Sequence, residues 1–309
     1  MSHTDLVLPP GLTVLERNWL SANNILIAGL PGEGATLIDT GHLRHADQTL
    51  ALVQHALGGE PLARILNTHL HSDHCGGNAR LQQATGCSIW TPPGQADAIV
   101  RWDTDALSYG PTGQRCERFA AQGVLIPEGE LQIGAAVWEV MAAPGHDPDS
   151  VMFFQRDHGV LISADALWEH GFGVVFPELE GASAFRDVAA VLDLIERLPV
   201  RCVIPGHGRV FTDVAAALAR ARERLALFEQ QPERHARHAA KVLIKFHLME
   251  EGRLSLDALQ HWLSHTPLLI SSHERAGSAE PQADWARALL DELVASAHLL
   301  REGDWVIDP

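Results

Sequence analysis

A chain of 309 residues, 46% of them hydrophobic, with 23 basic and 39 acidic side chains and a formal net charge of −16, has material for one large domain or for a large and a small one. No apolar run approaches the roughly 18 residues of a membrane span, and the negative field disfavours nonspecific attraction to nucleic acid or anionic lipid. The four cysteines, Cys75, Cys87, Cys116 and Cys202, show no CxxC spacing and so indicate neither a disulfide framework nor a cysteine zinc site.

Residues Met1 to Arg17 place Asp5 and Glu16 around a Pro-Pro pair and lack the basic start and apolar stretch of a secretory signal; a cytoplasmic location is the expectation. Two β-like runs, Asn24 to Ala28 and Ala35 to Ile38, flank a Gly/Pro turn and predict a hairpin ending at Asp39-Thr40-Gly41. Helical spacing from His45 to Leu57 stops at Gly58-Gly59. A buried strand over Arg64 to Asn67 follows, then a helix over Gly76 to Ala84, a strand at Ser88 to Thr91 and a helix opened by Pro92-Pro93. Arg101 to Gln122 has no sustained period and reads as an irregular insertion.

Further on, Leu131 to Ile133, Ala136 to Ala142, Val151 to Gln155 and Val160 to Ser163 read as successive strands. Ala184 to Leu198 is an amphipathic helix, Cys202 to Ile204 a short strand, and Asp213 to Glu229 a helix with Asp213 at its N-cap. Composition changes near Gln230-Gln231-Pro232. Beyond it strand signals nearly vanish: helices are expected at Glu233 to Glu250, Ser255 to Ser264 and Ala283 to Leu300, with Trp305-Val306-Ile307 as a terminal strand. The expected division is a catalytic domain over residues 1–230 and a small, mainly helical, winged-helix-like domain over 231–309.

Chemistry concentrates in Thr68-His69-Leu70-His71-Ser72-Asp73-His74-Cys75-Gly76-Gly77, where three imidazoles and a carboxylate occupy six consecutive residues after an apolar run. Imidazole suits zinc, iron or manganese, and HxHxDH spacing lets alternate residues of an extended segment point the same way before the chain turns into a helix. Two later runs share one design, an apolar strand followed by Pro-Gly-His: they end at His146 and His207. Leu161 to Ala166 and Leu37 to Gly41 are apolar runs ending on Asp165 and Asp39. Strands that end on such residues can converge on one edge of a sheet.

In this pattern the chain resembles metallo-β-lactamase-fold hydrolases: Asp39, His69 to His74, His146, Asp165 and His207 match five motifs of that superfamily in order, across about the first 210 residues. The resemblance implies an α/β fold, a four-layer αββα sandwich with metals at one edge between the sheets. It implies one metal on His69, His71 and His146, a second on Asp73, His74 and His207, and Asp165 bridging both. Asp39 would orient a ligand through a hydrogen bond. Two divalent ions, zinc or else iron or manganese, lower the pKa of a shared water from about 15.7 toward about 7 and so create hydroxide at neutral pH. Asp73 is a candidate proton shuttle as well as a ligand.

The resemblance has departures. Secreted β-lactamases usually lack the bridging Asp, whereas Asp165 is present. The lactonase tyrosine after that Asp is absent, since Ala166-Leu167-Trp168 stand there, and Asp147 replaces the usual Ser or Thr after the third-motif histidine. Trp168 and His170 follow Asp165 closely and are candidate substrate contacts, packing of Trp168 and Phe172 in the core being the alternative. On the helix from Glu233, Arg237 and Lys241 share a basic stripe. It reads as a solvated face or, as the resemblance to glyoxalase-II-like members implies, as an anion site for substrate.

The expected function is that of a dinuclear metal-dependent hydrolase of a small ester, thioester or lactone. Phosphodiester cleavage is one alternative; a mononuclear iron oxygenase of the persulfide dioxygenase type is another. The expected partner is a small-molecule substrate, with neither nucleic acid nor a membrane, and a homodimer is left open.

Overall fold

The computed structural model describes residues 8–309, so the leader reading over Met1 to Arg17 falls in part outside the described residues. Strands β1 (Leu12–Leu15), β2 (Asn24–Ile27) and β3 (Ala35–Ile38) form an antiparallel meander. A 3-10 turn at Leu43–His45 leads into α1 (Ala46–Leu57), which ends on left-handed Gly58, and β4 (Leu62–Leu66) then pairs parallel to β3. Next come α2 (Ser72–Cys75), α3 (Asn78–Thr85), β5 (Ser88–Thr91), α4 (Ala96–Arg101), α5 (Tyr109–Thr112) and β6 (Gly123–Val124). The first sheet has the order β1-β2-β3-β4-β5-β6.

The second sheet is built from β7 (Gly129–Ile133), β8 (Ala136–Ala142), β9 (Val151–Gln155), β10 (Val160–Ala164) and, after α6 (Phe176–Leu179) and α7 (Phe185–Arg197), β11 (Cys202–Pro205). Its order is β11-β10-β9-β8-β7, with β10 and β11 parallel and the rest antiparallel.

The strands explain the layering. Successive side chains of a strand point to opposite faces, so a strand buried on both faces reads as continuously apolar. Ile25, Ile27, Ile38 and Leu66 meet Trp138, Val140, Phe153, Ile162 and Ile204 in a core between the sheets. Their neighbours Leu26, Leu37 and Ile65 face the other way, onto Leu50 and Val53 of α1 and Leu81 of α3. On the far side, Phe154, Leu161 and Val203 pack against Val188, Leu192 and Ile195 of α7 and Leu218 and Leu225 of α8 (Val214–Gln230). The result is the four-layer αββα sandwich that the resemblance implied.

After Gln231 come α9 (Pro232–Glu251), β12 (Arg253–Ser255), α10 (Leu256–His265), α11 (Pro267–Ala276), α12 (Gln282–Ala295), β13 (Leu300–Glu302) and β14 (Trp305–Ile307). Leu243, Leu259, Leu269, Trp285, Leu289 and Val306 form a core there that also takes in Val174 and Leu179. Here the sequence expectation is corrected. The helix expected to Leu300 stops at Ala295, followed by Ala297 in the left-handed region at φ 58°, and a three-stranded sheet β12-β14-β13 stands where one strand was expected. Three-residue strands are too short to show a period, and α11 was missed because its apolar run is brief.

Two smaller differences concern prolines and glycines. The helix expected to open at Pro92-Pro93 begins at Ala96, after a turn. The helix expected over Gly76 to Ala84 begins at Asn78, after Gly76-Gly77, and a separate short helix, α2, precedes it inside the histidine cluster. No helix among the described residues is long and apolar enough to cross a membrane.

Candidate metal centre

Five chain segments deliver polar side chains to one edge of the sandwich, each just past the end of a strand. β3 leads into Asp39, β4 into His69 to His74, β8 into His146, β10 into Asp165 and β11 into His207. Their donor atoms form three overlapping groups, each within 4.8 Å: His69, His71 and His146; His69, His74 and Asp165; and Asp73, His74 and His207. The sequence-named residues are thus brought together, with His69 and His74 shared between groups.

The backbone is shaped for this convergence. Asp39 has φ 56° and Ala164 φ 48°, both in the left-handed region that L-residues adopt at a cost, and β10 shifts register against β11 between Ile162 and Ala164. That irregularity re-aims Asp165 inward. The Pro-Gly-His runs need their glycines for space. A Cβ on Gly206 would lie 2.3 Å from Asp165 Oδ1, and one on Gly145, itself at φ +133°, would lie 2.6 Å from Val188 Cγ2.

Hydrogen bonds then set the rings. Thr68 donates from its backbone N–H to Asp39 Oδ1 (2.9 Å) and from its hydroxyl to Oδ2 (2.7 Å), while His74 Nδ1 donates to Oδ2 at 2.8 Å. His146 Nδ1 donates to the Val174 carbonyl, leaving Nε2 free to face His71 Nδ1 at 2.8 Å and Asp165 Oδ2 at 3.3 Å. His207 Nε2 lies 3.1 Å from Asp73 Oδ2, and Trp168 Nε1 donates to Asp165 Oδ1 at 3.1 Å. Asp147 is buried beside the cluster: its Oδ2 is 3.7 Å from His71 Nε2 and its Oδ1 accepts from the Asp149 N–H.

The donor set fits divalent cations. His69 Nε2 and His74 Nε2 are buried and make no hydrogen bond among the described residues, an expensive state for a ring nitrogen unless something else occupies its lone pair. Burial drives His71 and His146 down to about 4 and His69 well below the ordinary value, so all three are neutral at pH 7, the form a metal would need. Burial opposes charge on His74 too, but Asp165, Asp39 and Asp73 outweigh it and raise that imidazole well above its usual range. Burial likewise works against the Asp73 and Asp165 carboxylates, yet His74 first and His207 with it hold both below the carboxylate range. Three carboxylates, Asp165, Asp39 and Asp73, thus crowd one imidazole, an excess of negative charge that a cation would offset. Mixed imidazole and carboxylate donors with excess negative charge suit zinc, iron or manganese.

The cluster opens into a cavity of about 350 Å³. Trp168 lines it, as expected, and so does His170, which is 78% exposed at the mouth. Arg237 and Lys241 do not line it; they pair with Glu292 and border a second cavity. Sequence reasoning missed Trp19, Phe176, Arg224, His238 and Phe246, all of which line the first cavity. Trp19, 58% exposed, stacks on His207 with centroids 5.4 Å apart and meets Trp168 edge to face. For Arg224, His238 and Phe246 only the mixed apolar and basic faces of α8 and α9 offered any signal.

Residues 17–207 match the profile of the Metallo-beta-lactamase superfamily. The chain is 31% identical over 147 residues to the hydroxyacylglutathione hydrolase of Hyphomonas neptunium, covering 47% of this chain and 48% of that protein, so the match spans about half the relative's length. A fuller match, 30% over 286 residues, covers 91% of this chain and 94% of the hydroxyacylglutathione hydrolase of Xanthomonas axonopodis pv. citri. Another, at 27% over 164 residues, covers 50% of this chain and 59% of the acyl-coenzyme A thioesterase MBLAC2 of Gallus gallus. In fold, a metallo-beta-lactamase family protein from Thermus thermophilus superposes with a TM-score of 0.58 at 21% identity, covering 98% of this chain and 100% of that one.

Proposed function

We propose that the chain, which belongs to the metallo-β-lactamase superfamily, is a metal-dependent hydrolase that cleaves a small ester, thioester or lactone, a thioester first, at a dinuclear centre. The carrying observation is the overlap of three donor groups: seven side chains in groups that share His69 and His74 offer more donors than one ion takes. Thioester cleavage is favoured by relatives named as a hydroxyacylglutathione hydrolase and an acyl-coenzyme A thioesterase.

In this reading His69, His71 and His146 would hold one divalent ion and Asp73, His74 and His207 the other, with Asp165 as a further donor available to either. When bound, such a pair supplies a water of lowered pKa and polarises the carbonyl under attack. The protein's own groups do the rest. Trp168 orients Asp165 through its indole N–H, and Asp39 orients His74. Asp73, less buried than the histidines and on the cavity wall, would carry a proton to the leaving thiolate or alkoxide. Trp19, Phe176 and Phe246 form an apolar wall for the acyl portion and exclude water from it.

Metal analysis of protein purified without chelator tests the reading. About two zinc, iron or manganese ions per chain, with turnover of a thioester in a panel of thioester, lactone and phosphodiester, is the expected result. One iron per chain with oxygen consumption on a persulfide would replace it by the oxygenase reading. His71→Ala should lose metal and turnover together.

A further inference from the structure

Arg224 on α8 holds its guanidinium between two phenyl rings, 5.5 Å from the centroid of Phe172 and 5.4 Å from that of Phe228. Its Nη2 donates to Nε2 of His238 on α9 at 2.6 Å, the one hydrogen bond the guanidinium makes among the described residues. Its neighbours are paired: Arg222 with Asp193 and Glu196, Arg237 with Glu292. Arg224 has no carboxylate within 4.0 Å among the described residues. Burial lowers its pKa and no anion restores it. A half-buried guanidinium left with free donors is costly to fold and ready for a ligand.

His238 does not supply the missing charge. As an acceptor at Nε2 it carries its proton on Nδ1, and burial first, then Arg224, pushes it down to about 3, so it stays neutral and offers one more donor. Gly171, at φ +124°, leaves room for the group: a Cβ there would lie 2.8 Å from Nη1.

The location is as informative as the missing partner. Arg224 and His238 border both the cavity that holds His71, His146 and Asp165 and an adjoining one of about 450 Å³. The lining of that second cavity has four cationic side chains, Arg224, Arg234, Arg237 and Lys241, and no carboxylate, while Glu292 behind it offsets Arg237 and Lys241 in part. In a chain of net charge −16 this is a segregated positive patch opening from the candidate active site.

We propose that Arg224, with His238, is a specificity-determining site for an anionic group, carboxylate or phosphate, on the substrate, remote from the bond that is cleaved. The proposal rests on the hydrolase reading for what happens at the other end of the substrate. A guanidinium fork matches either anion through two parallel N–H donors.

The test uses the full chain as purified and titrates n-hexyl phosphate, hexanoate and 1-hexanol, whose common stem fits the aromatic wall, by calorimetry and tryptophan fluorescence. At least one anion should bind tenfold or more tighter than hexanol, and Arg224→Gln should weaken that anion about tenfold. The tighter of the two identifies phosphate or carboxylate. Arg224→Lys, which keeps the charge and loses the fork, should fall between and covers the case in which the Gln variant misfolds. Wild-type anion affinity in both variants would overturn the proposal. With paired thioesters differing only in a terminal anion, Arg224→Gln should cut the anionic-to-neutral ratio of kcat/KM about tenfold. Arg224-dependent binding without any turnover by the wild type would sink the hydrolase reading while the anion site stood.

Discussion

Asp39 Oδ2 accepts a hydrogen bond from His74 Nδ1 at 2.8 Å while Thr68 donates to both oxygens of the same carboxylate. The arrangement turns the other nitrogen of His74 toward Asp165, 3.4 Å away. Asp39→Asn would present an amide N–H to at least one of these donors. We expect a roughly 10–100-fold loss of metal affinity, the usual effect of removing such a support, with the fold intact by circular dichroism. Chelator competition measures it, and unchanged affinity would refute the role given to Asp39.

Gly206→Ala adds a methyl 2.3 Å from Asp165 Oδ1 and 2.9 Å from His74 Cε1. Neither neighbour is free to retreat, because Asp165 is held by Trp168 and His74 by Asp39. The expected outcome is a fall in both metal content and kcat, with KM little altered. Full metal occupancy in the variant would show that the cluster tolerates the displacement.

Trp19 is largely exposed yet stacks on His207 and touches Trp168. Removing an exposed ring costs little core packing, so Trp19→Ala should melt within a few degrees of the parent. Its KM for thioesters with apolar acyl groups should rise severalfold while short acyl groups are less affected. Equal effects across chain lengths would argue against a substrate-facing role.

His247 stacks on Trp262 with centroids 4.0 Å apart, its Nδ1 makes no hydrogen bond among the described residues, and burial, then Arg115, pushes it down to about 4. The folded state therefore binds this proton less tightly than the unfolded state. Its contribution is fully present above about pH 6.5 and is lost as pH falls from there toward 4. His247→Phe keeps the stack and removes the titration. The variant should resist acid better by on the order of 1 kcal/mol at about pH 5 and match the parent's pH slope above about 7. Parallel Tm curves from about pH 7.5 to 4.5 would contradict this.

Much of the sandwich was legible because its signals are local. Runs such as Ala136–Ala142 and Val151–Gln155 are bounded by turns, and the end of α8 and the N-cap at Asp213, which accepts from Ala216 N–H at 3.1 Å, follow from neighbouring residue types. The small sheet β12-β14-β13 was not legible, since three-residue strands exist only by pairing with one another.

The same division runs through the candidate centre. Which side chains gather there was implied by the family resemblance, and it fits the chain's own pattern, since each follows an apolar strand and strands that run in the same direction end at a common edge. What surrounds them came from packing between distant segments. Trp19 and Arg224 reach the cavity from elements with no motif, and Arg237 and Lys241, legible as a basic stripe, are turned to Glu292 and the second cavity. A helix's period shows which residues share a face; which face meets a cavity depends on burying α8 and α9 against residues far away in the chain.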